Sequence, residues 1–134
     1  MIGYFDRLRV NDLNYALNTL SEKTNQIARN IANANTPKYR SKKLEFDTVM
    51  RKYFSSANPV KLYTTDEKHL QPYSAPLNPI DFLKLQNNPS TRTDGNDVNI
   101  EYETSELAAS SVMYDMLTTI TGNKFAALKE IIQR

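Results

Sequence analysis

Leu13, Leu17, Leu20, Thr24, Ile27, Ile31 and Ala34 alternate spacings of four and three without a break. That is a heptad seam with one polar member, the mark of a helix that keeps a single stripe toward a neighbour. It predicts a helix over about residues 8–35. At 1.5 Å per residue such a helix is about 40 Å long, more than the ~30 Å diameter of a small compact domain, so an elongated molecule is expected. The end of the chain repeats the pattern less strictly: Leu107, Tyr114 and Leu117, then Thr121, Phe125, Leu128 and Ile132 after one extra four-residue step. Such a stutter locally unwinds a coiled coil. Gly122 sits beside it, where a bend, a close neighbouring backbone or a helix break between 121 and 124 would each account for a glycine. A helix over about 100–132 is expected, started by the Asp94-Gly95 turn, an Asn99 N-cap, and Glu101 and Glu103 in its first turn.

Between the seams the pattern dissolves. Pro59, Pro72, Pro76, Pro79 and Pro89 interrupt any helix longer than about ten residues. Local order is expected only at Tyr53, at Lys61-Leu62-Tyr63 and over Pro79-Ile80-Asp81-Phe82-Leu83. Before them, Leu44, Phe46, Val49 and Met50 form a short amphipathic turn, with Phe46 and Met50 at i, i+4. The whole predicts one elongated, mostly α domain over 1–134. Two long terminal helices pack as an antiparallel coiled coil, and an irregular, extended, proline-rich middle over about 38–98 has room for a short β-hairpin.

One stretch asks for more than packing. Gln26, Asn30 and Asn33 repeat the seam's spacing one residue earlier, about 100° around the helix, so an amide stripe flanks Ile27, Ile31 and Ala34. Asn25, Asn30, Asn33 and Asn35 are poor helix formers, and Thr36-Pro37 stops the helix. Amides both donate and accept, which lets copies of one surface meet without like-charge repulsion. A helix C-terminus with asparagine near its cap is the alternative.

The run Asn30-Ile31-Ala32-Asn33-Ala34-Asn35-Thr36-Pro37-Lys38-Tyr39-Arg40 resembles the N-I-A-N-A-D-T-P-G-Y-K signature of the bacterial flagellar rod and hook protein family. It departs at Asn35, often Asp in the family, and at Lys38, usually Gly; a lysine there counts against a left-handed residue after Pro37. Asp94-Gly95-Asn96-Asp97-Val98-Asn99-Ile100-Glu101-Tyr102-Glu103 resembles the family's D-G-N-x-V-x-[LI]-x-x-E element, and Thr65 to Leu70, with the chain's one histidine at His69, its T-x-x-x-H-[LI] stretch. Of the family's two proximal rod proteins one is resembled more closely, because Tyr39 follows Pro37 so soon and no asparagine closely follows Tyr114. The resemblance implies a self-assembling structural subunit of the proximal rod that transmits torque. Its partners would be copies of itself, other rod proteins, base (MS-ring/FliE) components and the flagellar type III export apparatus. It also implies export to the basal body in the periplasm without a cleaved signal peptide. Subunit contacts are then expected from Gln26, Ile27, Asn30, Ile31, Asn33, Asn35, Thr36, Pro37 and Tyr39 at one end, and from Leu107, Tyr114, Leu117, Phe125 and Leu128 at the other. Phe46 and Met50 resemble a hydrophobic pair of early export substrates; read from the residues, they anchor a turn to the core.

Charge distribution sharpens the picture more than composition does. Residues 1–52 carry ten basic and five acidic groups, residues 94–134 three and seven, so the ends are +5 and −4 and are expected to meet. Lys38-Tyr39-Arg40-Ser41-Lys42-Lys43 is the nearest approach to a nucleic-acid patch, but a backbone-binding site spreads its charge over a face. A solvated loop paired with acidic residues fits better, and no nucleic acid is expected. Zero cysteines and a single histidine leave no metal-ligand set. There is no nucleophile elbow, phosphate-cradling glycine loop or H-E-x-x-H, so no catalysis, cofactor or small-molecule substrate is expected. No run approaches the ~20 apolar residues of a membrane span, and the uncharged run at Met1–Phe5 is too short for a cleavable signal. Taken without the resemblance, these features read as a soluble cytosolic protein.

Overall fold

The computed structural model describes residues 9–57, 77–86 and 92–133. Within them the chain is mostly helical, with one small antiparallel sheet. Helix α1 spans Val10–Ala32, shorter at both ends than the seam suggested. Its start carries no side-chain cap: Arg9 lies in the left-handed region at φ 53° and pairs with Asp12 in the first turn. The seam points inward as its spacing requires. Leu20, Ile27 and Ala34 are buried, and Leu13, Leu17, Thr24 and Ile31 are half-buried.

Helix α2, Phe46–Ala57, corrects the expectation of a short turn. Fifteen positions separate the basic loop from Pro59, enough for a helix of three turns. Val49 is fully buried beside Leu44, while Phe46 and Met50 are half-buried. Tyr53 ties the helix to α1: its ring stacks on Tyr15 with centroids 4.1 Å apart, and its hydroxyl donates to Asp12 at 3.0 Å. Tertiary burial on a neighbour, which no local pattern reports, stabilises most short helices.

Among the described residues the middle holds one antiparallel strand pair. Strand β1, Lys42–Lys43, pairs antiparallel with β2, Lys84–Leu85, Lys42 opposite Leu85 and Lys43 opposite Lys84. The two strands come from distant parts of the chain. Just before β2, Pro79–Phe82 forms a 3-10 turn whose Asn78 side chain caps the Ile80 N–H at 3.2 Å. Lys61-Leu62-Tyr63 and the stretch around His69 lie outside the described residues.

Helix α3 spans Ile100–Ile132. Asn99 caps it by accepting from the Tyr102 N–H at 3.1 Å, and it runs unbroken through Gly122. It lies antiparallel on α1, since Asn30 meets Glu103 and Lys23 meets Glu106 at 2.8 Å. Of its seam, Leu107, Leu117, Thr121 and Leu128 are half-buried, whereas Tyr114 and Phe125 are 42% and 48% exposed.

Candidate functional site

The signature stretch folds into a junction rather than a flat outer face. Asn30, at 0% exposure, is its hub. Its carbonyl Oδ1 accepts from Gln26 Nε2 at 3.0 Å, from the Tyr39 hydroxyl at 3.2 Å and from the Lys42 N–H at 3.3 Å. Its amide Nδ2 donates to the Lys42 carbonyl at 2.8 Å and to Glu103 Oε1 at 3.0 Å. One side chain therefore closes the outer edge of β1 as a neighbouring strand would, and joins α1, β1 and α3. The heptad spacing that sets Asn30 beside the seam is what carries it inward.

The end of α1 is held from across the chain. Asn96, 1% exposed, aims Nδ2 at three carbonyl oxygens at and past the end of α1, Asn33 at 2.9 Å, Ala34 at 3.0 Å and Thr36 at 2.8 Å; the turn itself adds the Thr36 N–H to Asn33 at 3.0 Å and the Tyr39 N–H to Thr36 at 3.3 Å. Arg92 Nη1 adds a second donor to Ala34 at 3.0 Å. Helix ends leave such groups unsatisfied, and burying them without donors is expensive. The turn that presents Asn96 needs Gly95 at φ 77°. The Lys38 N–H donates to the Asp94 carbonyl at 3.0 Å, and Lys38 itself adopts φ 60°. Lysine therefore keeps the left-handed residue after Pro37 that its presence counted against.

Beyond Lys38 the two segments zip together. Asp97, whose side chain is fully buried, accepts from the Ser41 N–H at 2.6 Å and from Arg40 Nε at 2.9 Å. Asp94 accepts from the backbone N–H of Asn96, which together with the Arg92 guanidinium holds its carboxyl below the usual range. Lys43 donates to the Tyr102 hydroxyl at 2.9 Å, and this bond raises the ammonium pKa. Lys38 and Lys42 remain exposed, so the basic run is split between ion pairing, a tyrosine and solvent.

Glu103 completes the junction. It is 2% exposed and accepts from Asn30 and, at 3.3 Å, from Gln86 Nε2. Burial raises its pKa above the ordinary glutamate value; the two amide donors and Lys43 oppose the shift, and Glu106 adds to it.

Of the sequence-predicted residues, Gln26, Ile27 and Asn30 are buried inside the chain. Ile31 and Tyr39 are half-buried, and Asn33 is half-buried with its amide spent on Arg29 and its carbonyl on Thr36. Asn35, Thr36 and Pro37 form an exposed tip, while Tyr114 and Phe125 lie exposed far along α3. Sequence reasoning missed Asn96, Asp97, Ser41 and Gln86 as members of the site, and placed Glu103 only as a first-turn acid. The sequence signal for Asn96 was the D-G-N turn, which fixes a local bend and says nothing of what the third side chain reaches.

No family model matches the chain. Its sequence is similar over most of its length to curated proteins from several bacteria. The flagellar basal body rod protein FlgB of Salmonella typhimurium is 28% identical over 123 residues, covering 88% of each chain. That of Bacillus subtilis is 28% identical over 131 residues, covering 92% of each. That of Borreliella burgdorferi is 26% identical over 126 residues, covering 87% of this chain and 90% of its own.

Proposed function

We infer that this chain belongs to the FlgB family of flagellar basal body rod proteins and is a structural subunit of the flagellar basal-body rod. The observation that carries the reading is similarity running nearly end to end across distant bacteria, on a chain whose signature residues build one continuous junction. Neither the second proximal rod protein, FlgC, nor a nucleic-acid-binding module is favoured by those relatives.

In finer terms the subunit self-assembles with other rod proteins and passes torque from the membrane-embedded base to the distal rod, its terminal helices working as an antiparallel coiled coil. Three features support this. The junction locks the two helices at one end. The tip Asn35-Thr36-Pro37 is exposed yet held by Asn96 and Arg92, so it is ordered before any partner arrives. Tyr114 and Phe125 leave aromatic surface uncovered where a neighbouring subunit could bury it. Among the expected contact residues, the inter-subunit role then falls to Asn35, Thr36, Pro37, Tyr114, Phe125 and Leu128, with Leu107 and Leu117 in the helix pair. The subunit is exported through the flagellar type III apparatus without cleavage and meets base components in the periplasm. Phe46 and Met50 serve as the export signal only before α2 packs, because packing half-covers both.

Purified basal bodies from the source bacterium test the reading. The chain is expected in the proximal rod with Met1 retained. Phe125→Asp should leave the isolated subunit folded and prevent rod formation, since an unpaired buried charge costs several kcal/mol. Basal bodies that lack the chain, or normal rods built from the variant, would overturn it.

A further inference from the structure

Glu103 sits where α1, β1, β2 and α3 meet, yet no salt bridge reaches it from any described residue. Its two donors are neutral amides, on Asn30 of α1 and on Gln86 at the end of β2. The nearest cations are engaged elsewhere: Lys23 on α1 pairs with Glu106, and Lys43 on β1 bonds the Tyr102 hydroxyl. Lys42 and Lys84 on the ribbon and Arg29 on α1 are exposed. Asp97, from the segment before α3, is bound to Arg40 and Ser41. Glu106, one helical turn along α3, and the exposed Glu101 beside it place further acidic groups on the same helix. Asn30 cannot offer more, since both its hydrogens are in use.

We propose that Glu103 makes this junction a proton-operated latch, one that holds the first turns of α3 against the Asn30 hub when its carboxyl is protonated and slackens as the carboxyl ionises. A carboxylate taken from water with only amide donors pays for lost hydration without a cation to restore it. The neutral acid has no such penalty and keeps both amides as donors to its carbonyl oxygen. Burial raising the pKa of this group agrees with that balance. The sign follows from linkage. A carboxyl that binds its proton more tightly in the closed state than in the open one favours closure at low pH. That advantage is lost as pH rises from the ordinary glutamate value, about 4.3, through the closed-state value, and stays lost above it.

The test uses the isolated full-length chain, so it stands or falls apart from rod assembly. Carbon-13 NMR of the glutamate carboxyl groups should show Glu103 titrating above the ordinary glutamate range. Amide exchange, corrected for intrinsic rates, should speed up at Gln26–Asn30 and Tyr102–Leu107 as pH rises from the ordinary glutamate value through the measured Glu103 midpoint, by roughly tenfold for each pH unit that separates the closed and open midpoints. Glu103→Gln keeps the shape and the amide-accepting oxygen and should abolish that pH dependence. An ordinary titration midpoint at Glu103 overturns the proposal, as does an unchanged exchange profile in Glu103→Gln. Should the variant fail to fold, the titration of the unaltered chain still decides.

Discussion

Asn30 and Asn96 act from opposite ends of the chain on the same problem, the backbone groups left over where α1 and β1 stop. For Asn96→Ala, the carbonyls of Asn33, Ala34 and Thr36 lose a donor at a site 1% exposed. Each keeps one other donor, the Thr36 N–H on Asn33, Arg92 on Ala34 and the Tyr39 N–H on Thr36, so what is lost is the net worth of the bonds made by two amide hydrogens, and about 1–3 kcal/mol in urea unfolding is expected; a loss under about 0.5 would show that the remaining donors suffice. Lys38 makes the opposite prediction. Holding φ at 60° is a strain for a residue with a Cβ, and its side chain is exposed. Lys38→Gly should relieve it, stabilising by several tenths of a kcal/mol after the glycine's greater unfolded entropy is subtracted, whereas Lys38→Val should destabilise by 1 kcal/mol or more. Equal melting temperatures for all three would remove the strain argument. The amide stripe was legible as a pattern because spacing fixes which side of a helix a residue occupies. Its use within the chain was not legible, because that depends on Lys42 and Glu103 arriving from elsewhere.

At the level of elements, the seams gave α1 and α3 because heptad spacing is a local property that a helix reads directly. Helix α2 was understated: Tyr53 shows its purpose only once Tyr15 and Asp12 are beside it. The two-residue strands were unreadable for a similar reason, since each is too short to alternate and neither has its partner nearby in sequence. Gly122 gives this scale its test. A Cβ there would meet nothing within 4 Å, and the helix neither ends nor breaks around it. In the isolated chain Gly122→Ala should therefore stabilise α3 by about 1 kcal/mol, read as a higher midpoint in thermal unfolding by circular dichroism. If the same variant blocks rod assembly, the glycine serves close approach by a neighbouring subunit. If the midpoint does not rise, α3 is already unwound at Gly122 in the isolated chain and not only from Lys124 onward.

Across the whole molecule, the charge asymmetry resolves into a few contacts. Lys23 with Glu106 and Arg40 with Asp97 join the basic and acidic ends, while Lys42 and Lys43 form no salt bridge with any described carboxylate. Helix α3 has 33 residues against 23 in α1. Counting from the Lys23–Glu106 pair in antiparallel register, Val10 falls level with Thr119, so Ile120–Ile132 continues about 20 Å beyond the described residues of α1. That stretch includes Ile120, Phe125, Ile131 and Ile132, all exposed, and a helix of that length without packing is marginal in water. Hydrogen exchange on a dilute monomer should then fall into two regimes. At a pH where Glu103 is protonated, amides from Tyr102 to Ser111, anchored by Glu103 and Lys23, should exchange slowly, and those from Lys124 to Ile132 at rates near those of an unfolded chain. Incorporation into rods should slow the second group by orders of magnitude while changing the first little. Uniform protection along α3 in the monomer would show that the far end needs no neighbour. Uniform fast exchange would show that even the Asn30–Glu103 junction closes only on assembly, so that the polar hub, however well satisfied, does not hold two helices together without the surfaces of adjoining subunits.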